Sequence, residues 1–298
     1  MTAGLPRGGR VFVTGASGFL GAHVVGMLKS AGAEVYDARV DLLNVPALRA
    51  ALAIAEPDCI IHLAAYGARP GEHDRDRMFA VNVEGSVNLW NALPASARRV
   101  VMAGTCVEYA AADAPVNEQY PCDPRNAYAA AKHAAVSLLR ASAREDERQV
   151  IVLRPFGPYG PGDDSDRVIP FTLRRLIAGE PVPLSQGEQL RDFAFVDDHA
   201  RAFLLAAAAD IADAAPIYNI GSGEGVPLRA VIEAAADAVH PSARQLLQFG
   251  ALPYRADEGR VICGDISAAR RDLGYQPTVP LAEGLAKTVS WIRPLVQA

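Results

Sequence analysis

Cysteine is scarce in this chain: four in 298 residues, at Cys59, Cys106, Cys122 and Cys263, with no CxxC pair among them. That pattern supports neither a disulfide framework nor a thiolate metal site. The six histidines contain no HExxH or paired ligand spacing, so no metal is expected. Long hydrophobic runs are also lacking. No segment approaches the roughly 18–20 apolar residues of a membrane span, and the first ten residues hold no apolar stretch of signal-peptide length, so a cytoplasmic location is expected. Nor is there a basic surplus. With 29 Lys and Arg against 34 Asp and Glu the net charge is −5, and the basic residues are scattered. Binding to nucleic acid or a membrane surface is therefore not expected, and an anionic substrate would have to be met by local arginines. What is abundant is apolar side chain, 50% of the total, enough for one large core or a core with a satellite lobe.

The apolar residues alternate between two periods. Val11-Phe12-Val13, an apolar stripe at 20, 24, 27 and 28, and Glu34-Val35-Tyr36 read as strand, helix, strand. The alternation continues with a helix opening at Asn44-Val45-Pro46, a strand over Cys59–Leu63, a helix through Asn82 and Leu89, a strand at Val100–Ala103, an Ala-rich helix from about Tyr128, and a strand at Val150–Leu153. Nearly continuous apolar strands separated by helices predict a parallel sheet covered on both faces. The run Arg154-Pro155-Phe156-Gly157-Pro158-Tyr159-Gly160-Pro161-Gly162 is too rich in Pro and Gly for either regular element and reads as a crossing into a second lobe. Beyond it, helices are expected around 171–178, 198–209, 227–238 and 281–292, with a strand at Ile217–Ile220.

Chemistry enters first at Thr14-Gly15-Ala16-Ser17-Gly18-Phe19-Leu20-Gly21, between the first strand and its helix. Gly15 lets the chain turn out of the strand, Gly18 lets backbone approach a pyrophosphate, and Gly21 permits close helix–sheet packing, with the helix N-terminus toward the phosphates. Asp37 ends the second strand, where a carboxylate accepts from both ribose hydroxyls and repels a 2′-phosphate, favouring NAD; Arg39, two residues on, would instead clamp that phosphate, so NAD and NADP both stay open. Asp41 and Leu42 are placed either in an adenine pocket or in the lead-in to the next helix. Tyr128 and Lys132 are four apart on a helix and share a face. An ammonium beside a phenol would lower the phenol's pKa toward useful acid–base work.

Taken together, TGASGFLG at 14–21, HLAA at 62–65 (with Leu63, Ala64 and Ala65), NVEGSVNLWNA at 82–92, Thr105 four residues before Tyr109, YAAAK at 128–132, RPFGPYGPG at 154–162, RDFAFVDD at 191–198, YNIGSG at 218–223 and DISAARRDLGY at 265–275 resemble the landmarks of the extended short-chain dehydrogenase/reductase superfamily, sugar-nucleotide branch, in family order. The resemblance implies a Rossmann-type doubly wound α/β sheet at 1–155, with part of 191–220 returning to it. It places a smaller, sequence-interleaved α/β lobe for a nucleotide-diphosphate sugar mainly at 156–298. It implies NAD or NADP as cofactor, held by the 15–21 loop, Leu63, Ala64, Ala65, Asn82, Tyr128, Lys132 and Pro155. It further implies a catalytic set in which Thr105 hydrogen-bonds the sugar oxygen, Tyr128 exchanges the proton and Lys132 lowers its pKa and holds the nicotinamide ribose. Arg191 and Arg255 would contact the diphosphate, and a homodimer would pack through helices of the cofactor domain.

Departures from the family pattern bear on the reaction. Sugar 4,6-dehydratases carry Asp-Glu after the catalytic Thr; here Cys106-Val107 stands there, against dehydration. The 4-epimerases usually show a Ser-Ser run ending in VYG, whereas Gly104-Thr105-Cys106-Val107-Glu108-Tyr109 is closer to NDP-4-keto-6-deoxyhexose reductases. Thr105, Cys106 and Glu108 are the expected sugar contacts, with Glu108 read as a substrate contact, a second acid–base group, or a structural or solvated residue. The expected reaction is C4 ketoreduction, with epimerisation using tightly bound NAD as the alternative. A nucleotide-sensing regulator on the same fold is disfavoured because such proteins typically lose the Tyr or the Lys.

Overall fold

The computed structural model describes residues 9–37, 39–69, 71–254 and 259–297. Among the described residues the first ten strands and α-helices are β1 (Arg10–Thr14), α1 (Phe19–Ser30), β2 (Glu34–Tyr36), α2 (Val45–Ala55), β3 (Cys59–His62), α3 (Arg75–Phe79), α4 (Gly85–Asn91), β4 (Arg99–Ala103), α5 (Ala127–Glu145) and β5 (Gln149–Pro155). Local signals explain several starts. Asn44 caps α2 by accepting from the Ala47 N–H with a proline in the first turn, and Asn126 caps α5 by accepting from the Ala129 N–H at 2.8 Å. The helix that carries Asn82 is broken by a π-helical turn, Ala80–Glu84, which the sequence reading did not anticipate.

Six strands form one parallel sheet in the order β10-β5-β4-β3-β1-β2, where β10 is Ile217–Ile220. One face is covered by α1 and by α7 (Val196–Ala208) and α9 (Ser267–Leu273), over Val11, Val13, Ile61, Val101 and Ile151. The other is covered by α2, α4 and α5, over Phe12, Ile60, Val100 and Val152. Every central strand is therefore buried on both sides, which is why these segments read as unbroken apolar runs. The chain moves from β1 outward to β2 and then crosses to β3, so the sheet has its switch point at the C-terminal ends of β1 and β3.

The second lobe is built from β6 (Pro158–Tyr159), α6 (Val168–Ile177), β7 (Val182–Leu184), β8 (Leu190–Arg191), β9 (Ala194–Phe195), β11 (Val226–Pro227), α8 (Leu228–Val239), β12 (Leu247–Phe249), β13 (Val261–Ile262) and α10 (Leu281–Gln297). Helices α6, α8 and α10 pack around Ile169, Leu173, Val231, Leu285 and Ile292. The lobes interleave: 196–220 and 266–275 lie against the large sheet although residues of the small lobe separate them. The Pro- and Gly-rich crossing is more regular than expected. Its Pro158–Tyr159 pairs in parallel with Ala194–Phe195, because proline's fixed φ suits an extended edge that needs no N–H there. Among the described residues no helix is long and apolar enough to cross a membrane.

Candidate active site

A cleft of about 1010 Å³ opens at the C-terminal ends of β1, β3, β4 and β5, between the sheet and the second lobe. That is the upper end of the ~300–1,000 Å³ usual for small-molecule sites. Of the residues expected from sequence, Gly15, Ser17, Gly18, Phe19, Leu20, Gly21, Leu63, Ala64, Ala65, Thr105, Cys106, Tyr128, Lys132, Pro155 and Arg191 line it.

One wall is made by backbone. Gly15 has φ +71°, and a Cβ there would lie 2.6 Å from the Ala64 nitrogen, so β1 and the loop after β3 touch main chain to main chain. Gly21 is required for a different reason than helix–sheet packing: a Cβ there would collide with the Gly15 carbonyl oxygen of the same loop. Gly18 caps α1 without a side-chain acceptor, leaving first-turn N–H groups directed at the cleft.

The floor is a hydrogen-bond chain. Burial takes His62 down to about 3, aided by the Lys132 charge, so the ring is neutral. The Ser86 hydroxyl donates to the Asn82 carbonyl, hence His62 Nε2–H donates to Ser86 at 2.9 Å and Nδ1 accepts from Thr14 at 2.7 Å. The Asn82 side chain then pairs with both backbone groups of Tyr66, at 2.9 and 2.8 Å. Asn82 does not line the cleft itself; it holds the loop that does.

The reacting end combines the turn after β4 with the first turn of α5. Burial pushes the Tyr128 phenol up to about 12, opposed first by the Arg167 charge and also by a hydrogen bond with Thr105. Desolvation outweighs the neighbouring charges there. Lys132 is 2% exposed and its own pKa falls to about 8 through burial, against the pull of the Glu108 charge. No hydrogen-bond acceptor for its ammonium occurs among the described residues, and it faces the cleft. Cys106 remains a thiol, pushed up to about 11 by burial.

Several expectations are corrected. Glu108 is fully buried and turned away from the cleft: its carboxylate accepts from the Thr105 N–H at 2.8 Å and from Arg154 Nη2 at 2.8 Å, because a short helical turn, Cys106–Glu108, folds it back as a capping box. The Thr-x-x-Glu spacing was the available signal. Leu42 is 5% exposed and packs in the core against Gly85, while Asp41 caps the turn before α2 by accepting from the Leu43 N–H, so the pair forms the helix lead-in. Asp37 directly follows β2 and pairs with Lys29 at 3.2 Å; Asp37 and Arg39 are both exposed, and neither is among the residues that line the cleft. Arg255 lies outside the described residues.

The sequence reading missed Arg167 and Asp163. Arg167 Nη2 donates to the Ala68 carbonyl at 3.2 Å and its Nε is 3.5 Å from Asp163, spanning the cleft between the loop after β3 and the crossing segment. Burial raises Asp163 to about 6, with Arg167 opposing. His23 bridges the same seam, between Asp197 (2.7 Å) and the Pro161 carbonyl (2.8 Å). Burial lowers its pKa, but these acceptors outweigh that and leave it raised. Asp192, after Arg191, accepts from Ser222 and Gly223, joining the RDF and GSG segments.

The bare glycine loop, the first-turn N–H groups of α1 and the buried Lys132 ammonium fit a dinucleotide: the first two its pyrophosphate, the last a ribose hydroxyl. Comparison with known proteins agrees. The profile of the NAD dependent epimerase/dehydratase family matches residues 11–221. GDP-6-deoxy-D-mannose reductase from Pseudomonas aeruginosa is 29% identical, with 94% of this chain and 96% of that protein covered. UDP-glucose 4-epimerase from Mycolicibacterium smegmatis is 31% identical, with 95% and 98% covered. Among solved structures, RMD from Pseudomonas aeruginosa complexed with NADPH superposes with TM-score 0.85 at 29% identity, covering 96% and 99% of the two chains. MoeE5 in complex with UDP-glucose and NAD gives TM-score 0.85 at 31% identity, covering 97% and 100%.

Proposed function

The chain belongs to the NAD dependent epimerase/dehydratase family, whose members are NAD(P)-dependent sugar-nucleotide enzymes, and from that premise we propose that it reduces the C4 keto group of an NDP-4-keto-6-deoxyhexose. The observation that carries this reading is the acid–base inventory at the reacting end. One phenol is kept protonated, and the residues following Thr105 into the cleft are a thiol and Val107. Ketoreduction asks for one proton donor beside the carbonyl oxygen. Elimination of water asks for a second acid–base pair beside Thr105, and neither Cys106 nor Val107 supplies one.

In this reading the Thr105 and Tyr128 hydroxyls hold the keto oxygen, and Tyr128 gives up its proton as that oxygen gains charge. Lys132, one turn along α5, stabilises the phenolate left behind and holds a ribose hydroxyl of the coenzyme. A bound nicotinamide supplies the hydride. Arg191 meets the nucleotide diphosphate. The name of the Pseudomonas aeruginosa relative supports the reductase reading. The similarity to the Mycolicibacterium smegmatis epimerase supports a second one, in which bound NAD is reduced and reoxidised within a single turnover. A second copy of the chain is expected against α3 and α5, where Phe79 is 61% and Leu138 46% exposed.

The test follows coenzyme oxidation with NADH and, separately, NADPH against dTDP-, CDP-, GDP- and UDP-4-keto-6-deoxyhexoses. Stoichiometric oxidation of one coenzyme is expected. Interconversion of ordinary NDP-hexoses without net coenzyme change would replace this reading with the epimerase one.

A further inference from the structure

Directly behind Thr105 lies a buried charge pair that the proposed chemistry does not use. The Glu108 carboxylate has three partners from three elements: the Thr105 N–H in the turn after β4 (2.8 Å), Arg154 Nη2 on β5 (2.8 Å), and His133 Nδ1 on α5 (3.3 Å), the residue after Lys132. Arg154 is 1% exposed, lies 4.5 Å from the centre of the Tyr109 ring, and has no hydrogen-bond partner for its Nε and Nη1 among the described residues. Glu108, Cys122 and His133 bring ligand-type atoms within 4.8 Å of one another. Arg154 Nη2 already contacts both the Glu108 carboxylate and the Cys122 sulfur, so a divalent cation would meet a guanidinium.

We propose that Glu108 is a positioning residue, whose carboxylate clamps the Thr105 amide to β5 and α5 and so fixes the Thr105 hydroxyl relative to Tyr128 and Lys132. The proposal rests on the reading in which Thr105 holds the reacting oxygen. An amide donating to an ionised carboxylate is among the stronger hydrogen bonds available to main chain. With the Thr105 amide held, its hydroxyl is placed by one remaining rotation.

Removing one charge alone strands the other in the core, so the informative pair is E108Q/R154M against E108A/R154M. Both are neutral at this site, and they differ in whether an acceptor remains for the Thr105 N–H. With NADPH and GDP-4-keto-6-deoxymannose as probes, E108A/R154M should lose about 100-fold in kcat with KM little changed, the scale of a small misplacement at a reacting centre. E108Q/R154M should recover most of that loss. Equal kcat in the two variants would overturn the proposal. A second measurement needs no substrate: by backbone NMR, amide exchange at Thr105 should quicken by about tenfold or more in E108A/R154M, the worth of a hydrogen bond to a charged group, while Val101 and Met102 in β4 keep their protection. Unchanged Thr105 protection would also overturn it. Failure of the wild-type protein to turn over any sugar would defeat the functional reading, leaving the exchange result to judge the clamp.

Discussion

The two sides of the cleft are held in shape by opposite means. At 15–21 precision comes from missing side chains: backbone lies against backbone, and any Cβ at Gly15 or Gly21 would occupy space already filled. At 105–109 it comes from side chains, since an ion pair with no solvent exposure beyond 2% braces the turn from behind. The first arrangement leaves N–H groups open to an anion. The second leaves the Thr105 and Tyr128 side chains lining the cleft. A wall made of glycine tolerates no addition, whereas a wall braced by charge tolerates no deletion.

Substitutions that break this contrast should rank as follows. Tyr128→Phe removes the proton donor without altering either brace, so kcat should fall about 10³-fold, ~4 kcal/mol, with sugar binding retained in calorimetry. Near-wild-type turnover would show that the proton comes from elsewhere. Arg154→Met takes the guanidinium from the buried Glu108 carboxylate, leaving the Thr105 amide and the His133 ring as its partners, and should cost about 3 kcal/mol in denaturant unfolding; a loss below about 1 kcal/mol would mean that water or the His133 ring makes up for the lost charge. Gly21→Ala should cost about 1–3 kcal/mol by overpacking and weaken coenzyme binding more than sugar binding. An equal loss of both affinities would contradict a local effect on the loop.

The smallest expected effect is a pH dependence at Lys132, whose pKa falls from 10.5 to about 8. Below about 8 the ammonium is charged and can donate to a ribose hydroxyl. As pH rises past that value, coenzyme affinity should weaken, and Lys132→Met should bind weakly without that inflection. Stability moves the other way. Between about 8 and 10.5 the unfolded chain binds more protons at this group than the folded one, so the coenzyme-free protein should gain thermal stability from it as pH rises. Parallel declines in affinity and stability would point to general unfolding.

Much of the fold was legible because each central strand is buried on both faces, and because Asn44 marks the start of α2 with a capping side chain. The glycine loop and the Tyr128–Lys132 pair were legible for a similar reason: their placement along one cleft follows from backbone geometry and helical period. Glu108 was misread because the direction of a side chain after a single helical turn depends on a partner, Arg154, that lies 46 residues away in sequence. Arg167 was missed because it enters the cleft only through the approach of the 160–167 segment to the loop after β3. The Pro158–Tyr159 strand was missed because its pairing partner, Ala194–Phe195, belongs to another stretch of chain. Local rules reached what is locally determined, and contacts across the two lobes lay outside them.

The account turns on net hydride transfer to the sugar, and coenzyme carrying deuterium at the transferable nicotinamide position tests it most directly. Incubation with a 4-keto-6-deoxyhexose nucleotide followed by mass spectrometry should give a product one mass unit heavier, labelled at C4, with one equivalent of coenzyme oxidised. An unlabelled product, formed from an ordinary hexose nucleotide with no net coenzyme oxidation, would contradict the reductase reading and make the protein an epimerase.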